Sequence, residues 1–380
     1  TDGGYLLGGD SNSRISGEKT EDIRGVNSDY WLVKINSLGV IEWQKTIGGN
    51  ADDILNCIKQ TTDGGYILGG ISTSNISGEK TENKRGLYDY WVVKINSLGV
   101  IQWQKTIGGT GEEYLNSVQQ TMDGGYVLGG SSSSSISGDK SQNRRGDYDY
   151  WVVKIDTTGL IEWQQTIGGN SSDILRSIQQ TLDGGYILGG DSYSNISGEK
   201  TEDVRGVNMN NDYWIVKINA TGSLEWQKTI GGNNNDDFWS IKQTVDAGYI
   251  LAGNSMSGIS GEKSENFRGS GDYWVLKTNS NGVIEWQKTI GGNDEDHISD
   301  IQVVSENTYI LAGYSWSGIS GDKTENNNSV FADYWIVKLK AVQNPDSVSG
   351  KIFRSQNSNC TQELNERGIP NVILKTDRNN

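Results

Sequence analysis

One stretch, DYWVVKINSLGVIEWQKTIGG at residues 89–109, constrains this chain more than any other. It reads as a strand, a tight turn and a second strand. Close copies begin at Asp29, Asp149, Asp212, Asp272 and Asp333, with spacings of 60, 60, 63, 60 and 61 residues. The chain is therefore a repeat protein, and every other reading must fit that period. A length of 380 residues exceeds the roughly 250–300 that one hydrophobic core serves. Repetition lifts that limit, because each unit buries its apolar faces against its neighbours.

Each repeat holds four strand-like runs. In the copy near Glu112 these are residues 113–121, 126–131, 149–155 and 160–169. The turn Met122-Asp123-Gly124-Gly125 joins the first pair, a polar loop at 132–148 the second, and Asp156-Thr157-Thr158-Gly159 the third. Large and polar residues alternate with period two, which specifies strands rather than helices. In the third run Trp151, Val153 and Ile155 face one side, and Tyr150, Val152 and Lys154 the other. Both faces suit a small sheet held between two others. The reading is all-β: a β-propeller of about six four-stranded blades, with seven as the alternative and a β-solenoid as the runner-up. The first copy lacks strand one and the last lacks strand four. The chain starts in mid-repeat, and residues upstream of Thr1 are expected to supply both strands and close the ring. The repeats occupy 1–339, a linker with Pro345 follows at 340–350, and a different module begins at 351–380.

Composition excludes several classes. Only 33 % of residues are hydrophobic and 51 are glycine, yet 13 Trp and 17 Tyr at fixed repeat positions argue against disorder. A net charge of −15 repels phosphate backbones and disfavours nucleic acid as a partner. No apolar run is long enough to insert in a membrane as a helix. Cys57 stands where other copies carry Ser117, Ser177 and Ser240, so it reads as a free buried filler rather than half of a disulfide with Cys360.

Residues 173–190 and 212–232 carry the pattern most fully, SIQQTxDGGYILGG followed by DYWVVKIxxxGxIxWQKTIGG. On these motifs residues 1–339 resemble a secreted propeller repeat family found in large surface proteins of Bacteroidetes and exported by type 9 secretion. The resemblance implies a secreted or cell-surface location and contact with secretion machinery through other residues. The KINxxGxxxW spacing is similar to the tryptophan-docking pattern of quinoprotein propellers. That similarity implies that Trp43, Trp103, Trp163, Trp226 and Trp286 pack between blades. The tail from Ser349 resembles the opening of an SdrD B-like or Cna B-like β-sandwich, a family that often carries a calcium loop. Its ligand positions fall on Ser355, Asn357, Asn359, Cys360, Glu363 and Glu366; Ser stands for the first Asp and Cys for the glycine.

Catalytic chemistry is sparse, and the chain reads as no enzyme. The single histidine, His297, has ordinary equivalents in other copies and reads as a surface-loop residue. Paired acids at Asp52-Asp53, Glu112-Glu113, Asp236-Asp237 and Asp294-Glu295-Asp296 recur at blade boundaries and read as solvated turns. Their oxygens, Asp236 and Asp237 among them, also suit Ca2+; no other cofactor is expected. The loop ISGEKTExxRG reads as a tie between blades through ion pairs of Glu79, Lys80, Glu82 and Arg85, with a multivalent binding surface as the alternative. Aromatics outside the repeat stand apart, and Trp239, Trp316 and Tyr193 are the candidates for stacking on a sugar. These features point to non-enzymatic adhesion, with polysaccharide or a surface protein as partner. A structural spacer is the second reading and a glycoside hydrolase or lyase the third.

Overall fold

The computed structural model describes residues 2–206, 210–327 and 331–341, and all regular secondary structure among them is strand. The chain divides into two compact units, 1–339 and 340–380. The expected sandwich at 351–380 lies outside the described residues, as does most of the linker at 340–350.

The first unit is a six-bladed propeller. Blade one holds β1 (Tyr5–Ser11), β2 (Asp29–Ile35) and β3 (Ile41–Ile47). Blade two holds β4 (Asp53–Gln60), β5 (Tyr66–Ser72), β6 (Asp89–Ile95) and β7 (Ile101–Ile107). Blade three holds β8 (Glu113–Gln120), β9 (Tyr126–Ser132), β10 (Asp149–Ile155) and β11 (Ile161–Ile167). Blade four holds β12 (Asp173–Gln180), β13 (Tyr186–Ser192), β14 (Asp212–Ile218) and β15 (Leu224–Ile230). Blade five holds β16 (Asp236–Gln243), β17 (Tyr249–Ser255), β18 (Asp272–Thr278) and β19 (Ile284–Ile290). Blade six holds β20 (Asp296–Ser305), β21 (Thr308–Ser315) and β22 (Asp333–Lys340). Strands pair in chain order within each blade. Among the described residues, blade one lacks an inner strand and blade six an outer one, as the incomplete first and last copies predict.

Turn chemistry explains the hairpins. Asn96 Oδ1 accepts from the backbone N–H groups of Leu98 (2.9 Å) and Val100 (3.0 Å), closing an Asx turn. The glycine ending the equivalent turn in blade four, Gly222, has φ of +84°, and an added Cβ would lie 3.0 Å from the Trp163 ring of blade three. That glycine therefore serves both the turn and the docking of the preceding blade's tryptophan. Trp163 also packs edge-on to Tyr186 at 5.7 Å, and Trp103 to Tyr126 at 5.6 Å. The strand-four tryptophans thus pack between blades, as the quinoprotein-like spacing implies.

The DYW motif makes a second, deeper contact between blades. In blades one to five the tyrosine lies against the next blade's tryptophan, with ring centroids 4.8–5.1 Å apart, as in Tyr30–Trp91 and Tyr213–Trp274. An added Cβ on Gly130 would lie 2.7 Å from the Tyr90 hydroxyl, which explains the second glycine of the LGG run. Both faces of the third strand are buried, as expected.

The long loops are packed, not free. Arg24 pairs with Glu79 at 2.9 Å, Arg85 with Asp139 at 2.9 Å and Arg205 with Glu262 at 2.9 Å, each pair linking adjacent blades. This agrees with the ion-pair reading at Glu79 and Arg85 but not at Glu82, which pairs with Lys105 of its own blade at 3.3 Å, nor at Lys80. That lysine is buried, its ammonium 5.2 Å from the Trp91 ring centroid and hydrogen-bonded to Thr106. It stabilises its own blade through a cation–π contact. The acid pairs also depart from expectation. Asp53, Glu113, Asp236 and Asp296 are buried, because each carboxylate caps backbone N–H groups and serine hydroxyls at a blade boundary. Asp53, for instance, accepts from the Gly49 N–H (2.6 Å) and the Ser74 hydroxyl (2.9 Å).

Among the described residues, one face of blade six is uncovered. Tyr334, the last DYW tyrosine, is 94 % exposed, whereas Tyr30, Tyr90, Tyr150, Tyr213 and Tyr273 are fully buried.

Candidate ligand-binding site

The repeat makes the blades alike, so a site for one ligand must come from positions where they differ. Those positions cluster on the inner strands. β4, β8, β12, β16 and β20 gather round a cavity of about 540 Å³. Each inner strand carries a β-bulge near its start, at Asn56, Asn116, Arg176, Trp239 and Ser299. A bulge re-aims a side chain. In blades two and three the bulged asparagine latches the next blade: Asn56 donates to the Leu115 carbonyl (2.8 Å) and Asn116 to that of Leu175 (2.7 Å).

From blade four onward the latch is gone. Arg176 instead pairs with Asp191 at 2.9 Å, and its guanidinium lies 5.0 Å from the Trp239 ring centroid. Trp239 meets His297 edge-on at 5.0 Å. His297 stacks on Tyr314 at 4.6 Å with an interplanar angle of 3°. Tyr314 then meets Trp316 edge-on at 5.1 Å. Five side chains from three blades thus form one continuous ladder from the cavity wall to the surface, where Trp316 is 38 % exposed. Tyr193 lies near the inner end, within the electrostatic reach of Asp191, Asp237 and Arg176.

Burial sets the protonation of this ladder. It pushes the Asp191 carboxyl up to about 6, against the pull of Arg176 and of the Phe238 N–H that donates to it at 2.6 Å. It holds His297 below the usual imidazole range, so the ring is neutral at pH 7. The Trp239 indole Nε1 and His297 Nδ1 are both buried without hydrogen-bond partners among the described residues.

No protein family model matches the chain, and no curated protein does. Among solved structures, the chain is similar to a protein of unknown function from Dyadobacter fermentans, with a TM-score of 0.47, 11 % identity, and 89 % of this chain and 91 % of that one covered. It is also similar to hydrazine synthase of Kuenenia stuttgartiensis, with a TM-score of 0.46, 10 % identity and coverage of 74 % and 67 %. A third is the apocarotenoid oxygenase of Synechocystis, with a TM-score of 0.39, 10 % identity and coverage of 83 % and 73 %.

The three sugar-stacking candidates occupy one sector of the ring, in blades four to six. Their roles differ from expectation in one respect. Trp239 is only partly exposed and one of its faces carries Arg176, so Trp316 offers the more accessible ring. His297 is not a surface-loop residue; it lies in β20, held between two aromatic rings. Sequence reasoning missed Arg176 and Tyr314 as site residues; a break in the repeat is the one available signal for each. Of the calcium candidates, Asn357, Asn359, Glu363 and Glu366 lie outside the described residues. Asp236 accepts from the Gly232 N–H at 2.6 Å and the Ser257 hydroxyl at 2.9 Å, and Asp237 accepts from the Asn211 amide at 2.8 Å. No group of three or more His, Cys, Asp or Glu side chains suited to a metal gathers among the described residues. Cys57 is free and half-buried on the cavity wall, and burial pushes its thiol up to about 12.

Proposed function

We propose that this chain is a non-enzymatic binding module of a secreted or cell-surface adhesion protein, with the propeller as scaffold and a polysaccharide as ligand. The observation that carries the reading is the ladder from Arg176 to Trp316: blade-specific aromatic side chains gathered in one sector of a ring otherwise built from near-copies. Stacked aromatic faces with polar neighbours suit sugar rings. Two carboxylates at the site are ion-paired, Asp191 with Arg176 and Asp300 with Lys242. The motif resemblance supports export and surface display, as in type 9-secreted Bacteroidetes proteins, with an SdrD B-like module following and Ca2+ as a candidate ion.

The test is binding of the protein to a polysaccharide panel, with calcium and with chelator. Binding that Trp316→Ala abolishes, at unchanged melting temperature, supports the reading. A second reading, a spacer that displays other domains, draws on the packing of the long loops into blade-to-blade ties. Absence of binding across the panel would favour it.

A further inference from the structure

The cavity holds more positive charge than the fold requires. On the inner strands of blades three and four, Gln119 and Gln179 each accept a backbone N–H of the next blade, those of Gln180 and Gln243, at 2.7 Å. This is a structural latch. At the same position blade two carries Lys59 and blade five Lys242, and an ammonium cannot accept that bond. Both lysines line the cavity, from strands three blades apart.

Lys242 has a partial counter-charge. Its Nζ lies 3.2 Å from Asp300 Oδ1 and 2.9 Å from the Ser240 hydroxyl, which donates to the same carboxylate at 2.6 Å. Lys59 is exposed to the cavity, and among the described residues its ammonium has no hydrogen bond or ion pair. Burial chiefly lowers the proton affinity of Lys242, and the charge of Lys59 lowers it further. Arg176 is a third cation on the wall, already paired with Asp191. Like charges held together at the loss of two latches, in a molecule of net charge −15, mark a place prepared for an anion.

We propose that the cavity binds the carboxylate of a uronate sugar between Lys59 and Lys242. This rests on the polysaccharide reading and assigns it a ligand class. A carboxylate supplies the missing charge through two charge-assisted hydrogen bonds, while the aromatic ladder carries the neutral sugar rings towards the surface at Trp316.

Calorimetry at low salt tests this on the full chain. The probes are a uronate tetrasaccharide, the same compound with its carboxyl groups reduced to alcohols, and a sulfated neutral tetrasaccharide. The uronate is expected to bind at least about tenfold tighter than its reduced form, with the advantage shrinking as salt rises. Lys59→Gln and Lys242→Gln restore the glutamine of blades three and four and so keep the fold. Each should remove most of that advantage. Equal affinity for the two compounds, or an unchanged preference in both variants, overturns the proposal and leaves the polysaccharide reading standing. Tighter binding of the sulfated compound overturns the carboxylate assignment. Binding of none of the three counts against both readings, and an intact melting transition separates that result from misfolding.

Discussion

The Tyr150 hydroxyl donates to the backbone carbonyl of Trp214 at 3.0 Å, across the boundary between blades three and four. The same bond recurs from Tyr30 to Trp91, Tyr90 to Trp151, Tyr213 to Trp274 and Tyr273 to Trp335. Tyr150→Phe keeps the ring contact and deletes the bond, so it should destabilise the propeller by about 1 kcal/mol. Tyr334→Phe should cost nothing measurable, since that side chain faces solvent. Urea unfolding of the two variants checks the contrast, and equal losses would contradict the role assigned to the bond.

Gly184 and Gly222 share a φ of +84°, but only Gly222 faces a tryptophan, with nothing within 4 Å of a Cβ placed on Gly184. Gly184→Ala should cost roughly 1–2 kcal/mol, the backbone strain alone. Gly222→Ala should cost a further ~1–3 kcal/mol, because the methyl group displaces Trp163. The difference should appear in equilibrium unfolding and as a change in the fluorescence of the docked indole.

Stability should fall between about pH 4 and pH 7. Burial lifts the carboxyl groups of Asp29, Asp89 and Asp272 to about 6 and that of Asp212 to about 7. The folded state therefore holds these protons more tightly than the unfolded chain, and the stability they lend is lost as pH rises from the ordinary carboxylate range through 6–7. Burial also holds Lys80, Lys140, Lys200 and Lys263 down at about 8, which returns stability only as pH rises from 8 towards 10.5. Below about pH 4 the opposite set acts. Asp63, Asp183 and Asp246, held near 2 by hydrogen bonds and lysine pairing, lose their contribution as they protonate. Scanning calorimetry should place the melting temperature at pH 4.5 several degrees above that at pH 7.5. Asp212→Asn should flatten the slope, and a higher melting temperature at pH 7.5 would contradict the assignment.

Arg205 and Glu262 tie blades four and five, with the guanidinium Nε and a terminal nitrogen both within 3.2 Å of the carboxylate. Both side chains are partly exposed, so the pair should contribute about 0.5–1 kcal/mol. A double-mutant cycle with Arg205→Met and Glu262→Gln measures it. The coupling should shrink in 1 M salt, near which the screening length is only about 3 Å. A coupling of zero at low salt would leave the loops without the tying role.

Much of the architecture was legible because a propeller is specified locally. Period-two alternation, Asx and glycine turns and a 60-residue spacing each report on residues close in the chain. The site was legible only in part. Trp239, Trp316 and Tyr193 stood out as aromatics that break the repeat, but their company did not. His297 looked inert because its partners lie in another blade or another strand. Lys59 and Lys242 lie 183 residues apart, and nothing local connects them.

The sequence by itself determined the strands, their turns and the four-strand repeat, since those follow from local pattern; it left six blades against seven, and the docking of the strand-four tryptophans was implied by resemblance alone. Only the tertiary structure decided that Asp53 and Lys80 are buried, that Arg176, Trp239, His297, Tyr314 and Trp316 form one ladder, and that two lysines face a common cavity. The reason is geometric. Curling the repeats into a ring brings together inner-strand residues from blades distant in sequence, and no local rule records which of them will meet.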